Sequence, residues 1–140
     1  PKGGGTKSSS APNNLFQIDE DCPKLTPVRA KVFHHLVAKT LYATKRSRPD
    51  TCTPVAYLTT RVRDPDTDDW DKLSHMVKYL RGTKDLPLTL SASNAGILKW
   101  WVDGSVAVHP DMKSHTGGGL SLGRGFPIVM STKQKLNTRS

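Results

Sequence analysis

The spacing of apolar residues changes near residue 86, and this change constrains the fold more than any other feature of the sequence. Before residue 86, apolar residues recur every three or four positions, which is the period of an amphipathic helix. After it, apolar and polar residues alternate, which is typical of strands. The sequence therefore predicts an α+β fold, in which a helical segment precedes an antiparallel, β-rich segment.

Three helices are expected in the first segment. The first begins at Thr26-Pro27, because Thr is a good N-cap and Pro is favoured in the first turn. The second begins near residue 51, and the third runs from about residue 66 to residue 81, before a glycine stop. Their expected apolar faces are, in chain order, Val32, Phe33, Leu36, Val37 and Leu41; Val55, Leu58 and Val62; and Trp70, Leu73, Met76, Val77 and Leu80.

Four strands are expected in the second segment. Residues 86–92 are predicted to pair with residues 97–108 through a turn at 93–96, and residues 117–123 and 126–131 form two more strands. Residues 1–14 are rich in Gly, Ser and Pro and indicate a flexible linker. We therefore divide the chain into a linker (1–14), a helical segment (15–84) and a β-rich segment (85–140).

Positive charge is concentrated in part of the chain. The 140 residues carry a net charge of +9, and residues 22–63 contain nine basic residues and one acidic residue. Such an uneven distribution favours contact with a nucleic-acid backbone, although solvated helix faces would need no partner. The candidate phosphate-contacting residues are Lys39, Lys45, Arg46, Arg48 and Arg61.

Cysteine content and hydropathy bear on the compartment. Cys22 and Cys52 form no CxxC pair, which favours free thiols in a cytosolic or nuclear protein over a disulfide scaffold. No apolar run approaches the roughly 20 residues that cross a bilayer, and residues 1–14 lack the apolar core of a signal peptide. We therefore expect neither secretion nor a membrane partner.

Asp103 is the candidate catalytic and metal-binding residue. It stands in an otherwise apolar and aromatic strand, where an unpaired buried charge is unfavourable. It shares a strand face with Lys99 and Trp101. Two interpretations remain open: an acid at a sheet edge paired with Lys99, or a carboxylate that helps to hold Mg²⁺.

Other residue types give weaker signals. The five histidines do not have zinc-ligand spacing, and His109 and His115 flank a loop that we expect to be solvated. The glycines at 117–119 favour hairpin turns over a phosphate loop, because the P-loop lysine is absent. Trp100-Trp101 either stacks on bases or supplies one core residue and one half-exposed neighbour.

Several motifs, taken in order, resemble the polyprotein of copia-type LTR retrotransposons. Family members show a Leu-Tyr-x-x-x-x-x-Arg-Pro-Asp run, matched by Leu41-Tyr42 through Arg48-Pro49-Asp50, and a Tyr-Leu-Lys/Arg-Gly-Thr run, matched by residues 79–83. Two later segments are also similar, KWWVDGSVAVHPDMKSHTGG and STKQKLNT. The resemblance covers roughly residues 15–140.

The resemblance implies a fold and a function. The similar region joins the end of the reverse transcriptase to the start of the ribonuclease H domain. It implies that the helices form the thumb-like connection that tracks the template–primer duplex. Asp103 would match the first catalytic Asp of ribonuclease H, where several acids hold two Mg²⁺ ions that cleave RNA in RNA–DNA hybrids. The implied partners are nucleic acid, bound without sequence specificity, and the rest of the polyprotein.

Two motifs of the family are absent from these 140 residues: the Tyr/Phe-x-Asp-Asp run of the polymerase and the Ser-Thr-Glu-Ala-Glu segment that carries the next ribonuclease H carboxylate. We therefore expect a polyprotein fragment that lacks both activities and at most binds nucleic acid. Two alternatives remain: a standalone basic nucleic-acid-binding module without catalysis, and an unselected remnant that folds poorly.

Overall fold

A computed structural model describes residues 5–93 and 96–135 of the chain. Helices α1 (Pro27–Arg46), α2 (Cys52–Arg61) and α3 (Thr67–Gly82) come first, with a 3₁₀ turn at Pro49–Thr51. Strands β1 (Ser91–Ala92), β2 (Lys99–Ser105), β3 (His115–Ser121), β4 (Gly123–Arg124) and β5 (Ile128–Lys133) follow. Three helices followed by antiparallel sheets confirm the predicted α+β class.

Local signals in the sequence account for the helix ends. The Thr26 hydroxyl accepts a hydrogen bond from the Arg29 backbone N–H, so the expected N-cap begins α1. Asp66 begins α3 with a capping box: its carboxylate accepts from the Asp69 backbone N–H, and the Asp69 carboxylate accepts from the Asp66 N–H. The prediction of a third helix beginning near residue 66 is therefore confirmed.

The helices pack around one hydrophobic core. Its fully buried members include Phe33 and Val37 of α1, Leu58 of α2, and Leu73 and Met76 of α3. The remaining core residues are Leu15, Leu25, Val55 and Tyr57. The core therefore joins all three helices to the segment that precedes them.

The buried faces are narrower than the apolar pattern suggested. Val32, Leu41 and Val77 belong to the predicted apolar faces, yet 37–44% of each residue is exposed. Each helix contacts its neighbours through one stripe, and side chains at the edges of a wide apolar face remain in solvent. The periodicity therefore identified the helices correctly and overstated their burial.

The main sheet has three antiparallel strands in the order β2-β3-β5. Lys99 of β2 lies opposite Ser121 of β3, and this register continues to Ser105 opposite His115. β3 in turn pairs with β5, with Gly117 opposite Ser131. β2 is thus an edge strand, and all seven of its residues are exposed.

The predicted hairpin between residues 86–92 and 97–108 is wrong. Only Ser91–Ala92 is a strand, and it pairs with β4 rather than with β2. Gly123 permits this pairing, because a Cβ atom built there would lie 2.5 Å from the Ser91 carbonyl oxygen. The expected turn includes residues 94–95, which lie outside the described residues.

The sheet docks on the helices through β5. Strand β5 packs along α2, and the Ser131 hydroxyl lies 3.5 Å from the Thr53 hydroxyl. The Lys45 ammonium donates to the Val129 carbonyl at 3.4 Å. Because β5 and β2 are opposite edges of the main sheet, the helices hold the edge farthest from β2.

Candidate nucleic-acid interface

Helix α1 presents a basic stripe to solvent. Lys31, His35, Lys39, Tyr42 and Arg46 follow one another at spacings of four, four, three and four residues, so they lie along one side of the helix. All five residues are exposed, and α1 contains no acidic residue. We call these five residues the α1 stripe.

The C-terminal end of the α1 stripe combines charge with an aromatic ring. The Arg46 guanidinium lies 5.6 Å from the centre of the Tyr42 ring, a cation–π contact, and Tyr42 is 69% exposed. The structure thus places the predicted residues Lys39 and Arg46 on one surface. The predicted residues did not include Lys31, His35 and Tyr42, although their helical spacing is visible in the sequence.

Lys45 lies beside the α1 stripe and faces the sheet. Besides donating to the Val129 carbonyl, it lines a groove between α1, α2 and β5 together with Lys133. Lys45 therefore extends the positive surface from α1 toward β5.

Arg48 is held within the protein by a polar cluster. Its guanidinium donates to both Asp50 carboxylate oxygens, at 3.0 and 2.7 Å, and to the Thr83 carbonyl and hydroxyl oxygens. The Tyr79 hydroxyl donates to the same Asp50 carboxylate at 2.7 Å. Burial acts to raise the pKa of Asp50, but the hydrogen bonds from Arg48 and Tyr79 outweigh it and lower that pKa.

Arg61 is similarly engaged by two buried carboxylates. It donates to Asp66 at 2.9 Å and to both oxygens of Asp69 at 3.0 Å. The side chains of Asp66 and Asp69 are 4% and 1% exposed, and that of Arg61 is 19% exposed. The structure thus separates Arg48 and Arg61, which join parts of the helical region, from the three predicted cations on α1.

Asp103 lies in the middle of β2, opposite Gly117 of β3. The Asp103 carboxylate accepts a hydrogen bond from the Gly104 backbone N–H at 2.9 Å, and Asp103 is exposed. It borders a cleft of about 390 Å³ between the sheet and the start of α2, lined also by Trp101, Cys52 and Thr53. Because Gly117 has no side chain, the cleft is open beside the carboxylate.

The surroundings of Asp103 bear on both interpretations from the sequence. Within residues 5–93 and 96–135, no ion pair joins Lys99 to Asp103. The same residues contain no cluster of three His, Cys, Asp or Glu side chains that could hold a metal ion. A single carboxylate does not make a two-metal site, so the described residues do not fit one.

His109 and His115 are buried, whereas the loop between them is exposed at residues 110–112, as expected. The two histidines are 4% and 7% exposed, and their ring nitrogens Nε2 and Nδ1 lie 3.0 Å apart. His115 Nε2 also lies 2.6 Å from the Ser131 hydroxyl. The Phe16 ring packs on both imidazoles, with centroid distances of 5.0 and 5.3 Å, and this contact ties β3 to the helical region.

Burial has an electrostatic consequence for these groups. It lowers the pKa of both imidazoles, and for His109 the positive charge of Lys133 acts in the same direction. Burial also raises the pKa of the neighbouring Tyr57 phenol to about 12. Burial therefore favours the uncharged forms of His109, His115 and Tyr57. Uncharged side chains suit a structural contact between the sheet and the helical region.

Comparisons with known proteins point to one class of origin. The chain is 26% identical over 102 residues to a Saccharomyces cerevisiae protein named "Putative transposon Ty5-1 protein". The aligned residues make up 73% of this chain, and the chain spans about a third (33%) of the length of that relative. This similarity supports a retrotransposon origin.

No family model matches the chain, and no solved structure matches it. Among the described residues, no helix has both the length and the apolar character needed to cross a membrane.

Proposed function

We propose that the chain is a nucleic-acid-binding segment of a copia-type retrotransposon polyprotein, from the junction of its reverse transcriptase and ribonuclease H regions. The similarity to a transposon Ty5-1 protein supports the retrotransposon part of this proposal. The order of the sequence motifs supports the position within the polyprotein. The observation that carries the binding function is the α1 stripe, in which cations and an exposed aromatic ring line one side of a helix without acids.

The dimensions of the α1 stripe suit a phosphate backbone. Its first and last residues are 15 positions apart, which corresponds to about 22 Å along a helix. That length spans several phosphates of one strand, which are separated by roughly 3.4 Å of duplex axis per nucleotide. Lys31, Lys39 and Arg46 contact phosphates in this proposal, and Tyr42 packs against a sugar or an unpaired base. None of these contacts reads a base sequence.

Asp103 has a separate role in this proposal. In the complete polyprotein it would hold Mg²⁺ together with carboxylates that the described residues do not include, and the metal would supply the activation of water for RNA cleavage. The open cleft beside Gly117 gives a phosphodiester access to the carboxylate. We assign no catalysis to the described residues alone, because they present a single acid there.

Salt-dependent binding tests the proposal. We expect the purified chain to shift a labelled RNA–DNA hybrid and a DNA duplex of unrelated sequence with similar affinity. The logarithm of the binding constant should fall with the logarithm of the salt concentration, by about 0.9 for each phosphate neutralised on duplex DNA. Absence of binding at low salt would overturn the proposal.

Two matched triple variants locate the binding surface. Replacing Lys31, Lys39 and Arg46 by Ala should reduce the magnitude of the salt slope by about 2.7, because three phosphate contacts are lost. Replacing Arg63, Arg81 and Lys84 by Ala removes the same charge from exposed positions outside α1 and should leave the slope nearly unchanged. Equal effects of the two variants would contradict a role for the α1 stripe.

A hydrolysis assay tests the role assigned to Asp103. The 140-residue chain with Mg²⁺ should leave the RNA of a labelled RNA–DNA hybrid intact. Cleavage that disappears on Asp103→Asn would show that the chain itself carries a working site and would contradict this part of the proposal. The result is independent of the binding measurement.

A further inference from the structure

A groove with an apolar floor lies between α1 and α3. Leu36 of α1 and Trp70, Leu73 and Val77 of α3 line it, and it encloses about 150 Å³. Leu73 belongs to the buried core, whereas Val77 is 40% exposed. Val32 lies one helical turn before Leu36 and is 44% exposed, so it extends the apolar side of α1. The described residues therefore leave part of this apolar surface in contact with solvent.

Three cations surround the apolar floor. The Arg29 guanidinium lies 4.5 Å from the centre of the Trp70 ring, and Lys78 and Arg81 line the groove on the α3 side. Among the described residues, none of these three cations forms an ion pair. The described residues that line the groove also include no acid. The groove thus carries three positive charges that the described part of the chain does not neutralise.

We propose that this groove binds an acidic amphipathic helix of a partner protein. The apolar face of the partner helix packs on Trp70 and Val77, and carboxylates on its flanks pair with Arg29, Lys78 and Arg81. The groove between two helices accepts a third helix, because rows of side chains on one helix fit the grooves of its neighbours. Trp and Arg are also enriched among the residues that dominate the binding energy of protein interfaces.

The length and the chemistry of the groove define the partner. Trp70 and Arg81 are 11 positions apart, which corresponds to about 16 Å along α3. A docked helix of about three turns covers that length, with apolar residues at spacings of three and four positions. A phosphate backbone would pair with the cations but would bring charged groups onto the apolar floor, which is unfavourable. An apolar floor with a basic rim therefore favours an acidic helix over nucleic acid.

Binding of a designed peptide tests the proposal. The probe is a fluorescein-labelled helical peptide of about 16 residues, with Leu at spacings of three and four positions and Glu on both flanks of that face. One control peptide has the same composition in scrambled order, and another has Lys in place of each Glu. Fluorescence anisotropy should give a dissociation constant on the order of 10 μM for the acidic peptide, and binding about tenfold weaker or less for each control. No binding of the acidic peptide, or equal binding of the scrambled peptide, would overturn the proposal.

Charge reversal at the rim locates the binding surface. Arg29→Glu combined with Arg81→Glu should weaken binding of the acidic peptide about tenfold or more and strengthen binding of the Lys peptide, because the net charge of the rim becomes negative. Arg63→Glu combined with Lys84→Glu makes the same change in net charge at exposed positions outside the groove and should have little effect. Equal effects of the two double variants would overturn the proposal, since the net charge of the chain would then explain the binding.

The fluorescence of Trp70 gives a second, independent readout. The chain contains three tryptophans, so Trp100→Phe with Trp101→Phe leaves Trp70 as the single one. The unlabelled acidic peptide should shift the Trp70 emission to shorter wavelengths, because the docked helix removes the ring from water. Binding without a change in the Trp70 emission would place the peptide elsewhere and overturn the proposal.

Two further measurements identify a different occupant of the groove. The affinity for an RNA–DNA hybrid could fall more in the Arg29, Arg81 variant than in the Arg63, Lys84 variant, which would make the groove a nucleic-acid surface. Sedimentation velocity could show a dimer of the chain that the Arg29, Arg81 variant fails to form, which would make a second copy the occupant. Either result would overturn the assignment to an acidic partner helix. Far-ultraviolet circular dichroism checks that each variant remains folded.

Discussion

The helical region and the main sheet bury their apolar side chains to very different extents. The helices enclose Phe33, Leu58 and Met76 completely, whereas in β2 both Trp100 and Trp101 are at least half exposed. The helical region therefore has a core of its own, and the sheet depends on contacts along β5 and on the Phe16–His109–His115 cluster. Packing of apolar side chains therefore stabilises the helical region more than it stabilises the sheet.

The largest expected effect is at the centre of the helical core. Phe33→Ala should lower the free energy of unfolding by about 3–5 kcal/mol, because the ring is fully buried and its removal leaves a cavity. Urea unfolding followed by circular dichroism measures this change. A loss under about 1 kcal/mol would mean that the helical region is loosely packed. Its packing would then not differ from that of the sheet.

The second effect concerns the ion-pair cluster between α2 and α3. Arg61→Leu should lower the free energy of unfolding by about 3 kcal/mol, since it leaves the carboxylates of Asp66 and Asp69 buried without a cation. Arg63→Leu is the matched control at an exposed position two residues away. Equal losses in the two variants would mean that the cluster contributes nothing specific.

A smaller, pH-dependent effect should report on the contact between the two regions. Because the pKa values of His109 and His115 are lowered in the folded chain from about 6.5, the unfolded chain binds more protons below that pH. The stabilising contribution of these neutral imidazoles is therefore present above pH 6.5 and is lost as the pH falls toward their folded pKa values. The titratable groups near these imidazoles are Tyr57 of α2, Lys133 of β5, and Asp111 of the intervening loop.

Unfolding midpoints measured at pH 7.5 and pH 5.5 check this expectation. The wild-type midpoint should be lower at pH 5.5 than at pH 7.5. The midpoint of the double variant His109→Phe, His115→Gln should decrease less over the same pH range. His34→Gln with His35→Gln, on exposed positions of α1, serves as the control and should retain the wild-type fall. Identical pH dependence in all three proteins would show that His109 and His115 do not cause the loss of stability at low pH.

The sequence predicted the helices better than the sheet for a physical reason. Thr26 and Asp66 act locally, through capping of the helix N-termini, so their effect can be predicted without knowledge of tertiary contacts. Strand pairing depends on distant partners. The pattern at residues 86–92 therefore indicated a strand but gave no information that its partner is β4.

The residues of the candidate site also differ in how far local sequence predicts their surroundings. The exposure of Lys39 and Arg46 follows from helical spacing, and Lys31, His35 and Tyr42 could have been found by the same rule. The engagement of Arg61 with Asp66 and Asp69 depends on how α2 and α3 cross, which charge counting does not give. Likewise, His109 and His115 lie only six residues apart, but their burial requires Phe16, which is distant in sequence.

The cluster around Arg48 has a consequence for the two sequence motifs that first suggested a family. Arg48 and Asp50 belong to one motif and Tyr79 and Thr83 to the other, yet their side chains form a single hydrogen-bonded unit. The two motifs, although separate in the sequence, therefore depend on each other in the folded chain. A substitution in either of them removes the partner of the other, so related chains should change both together or neither.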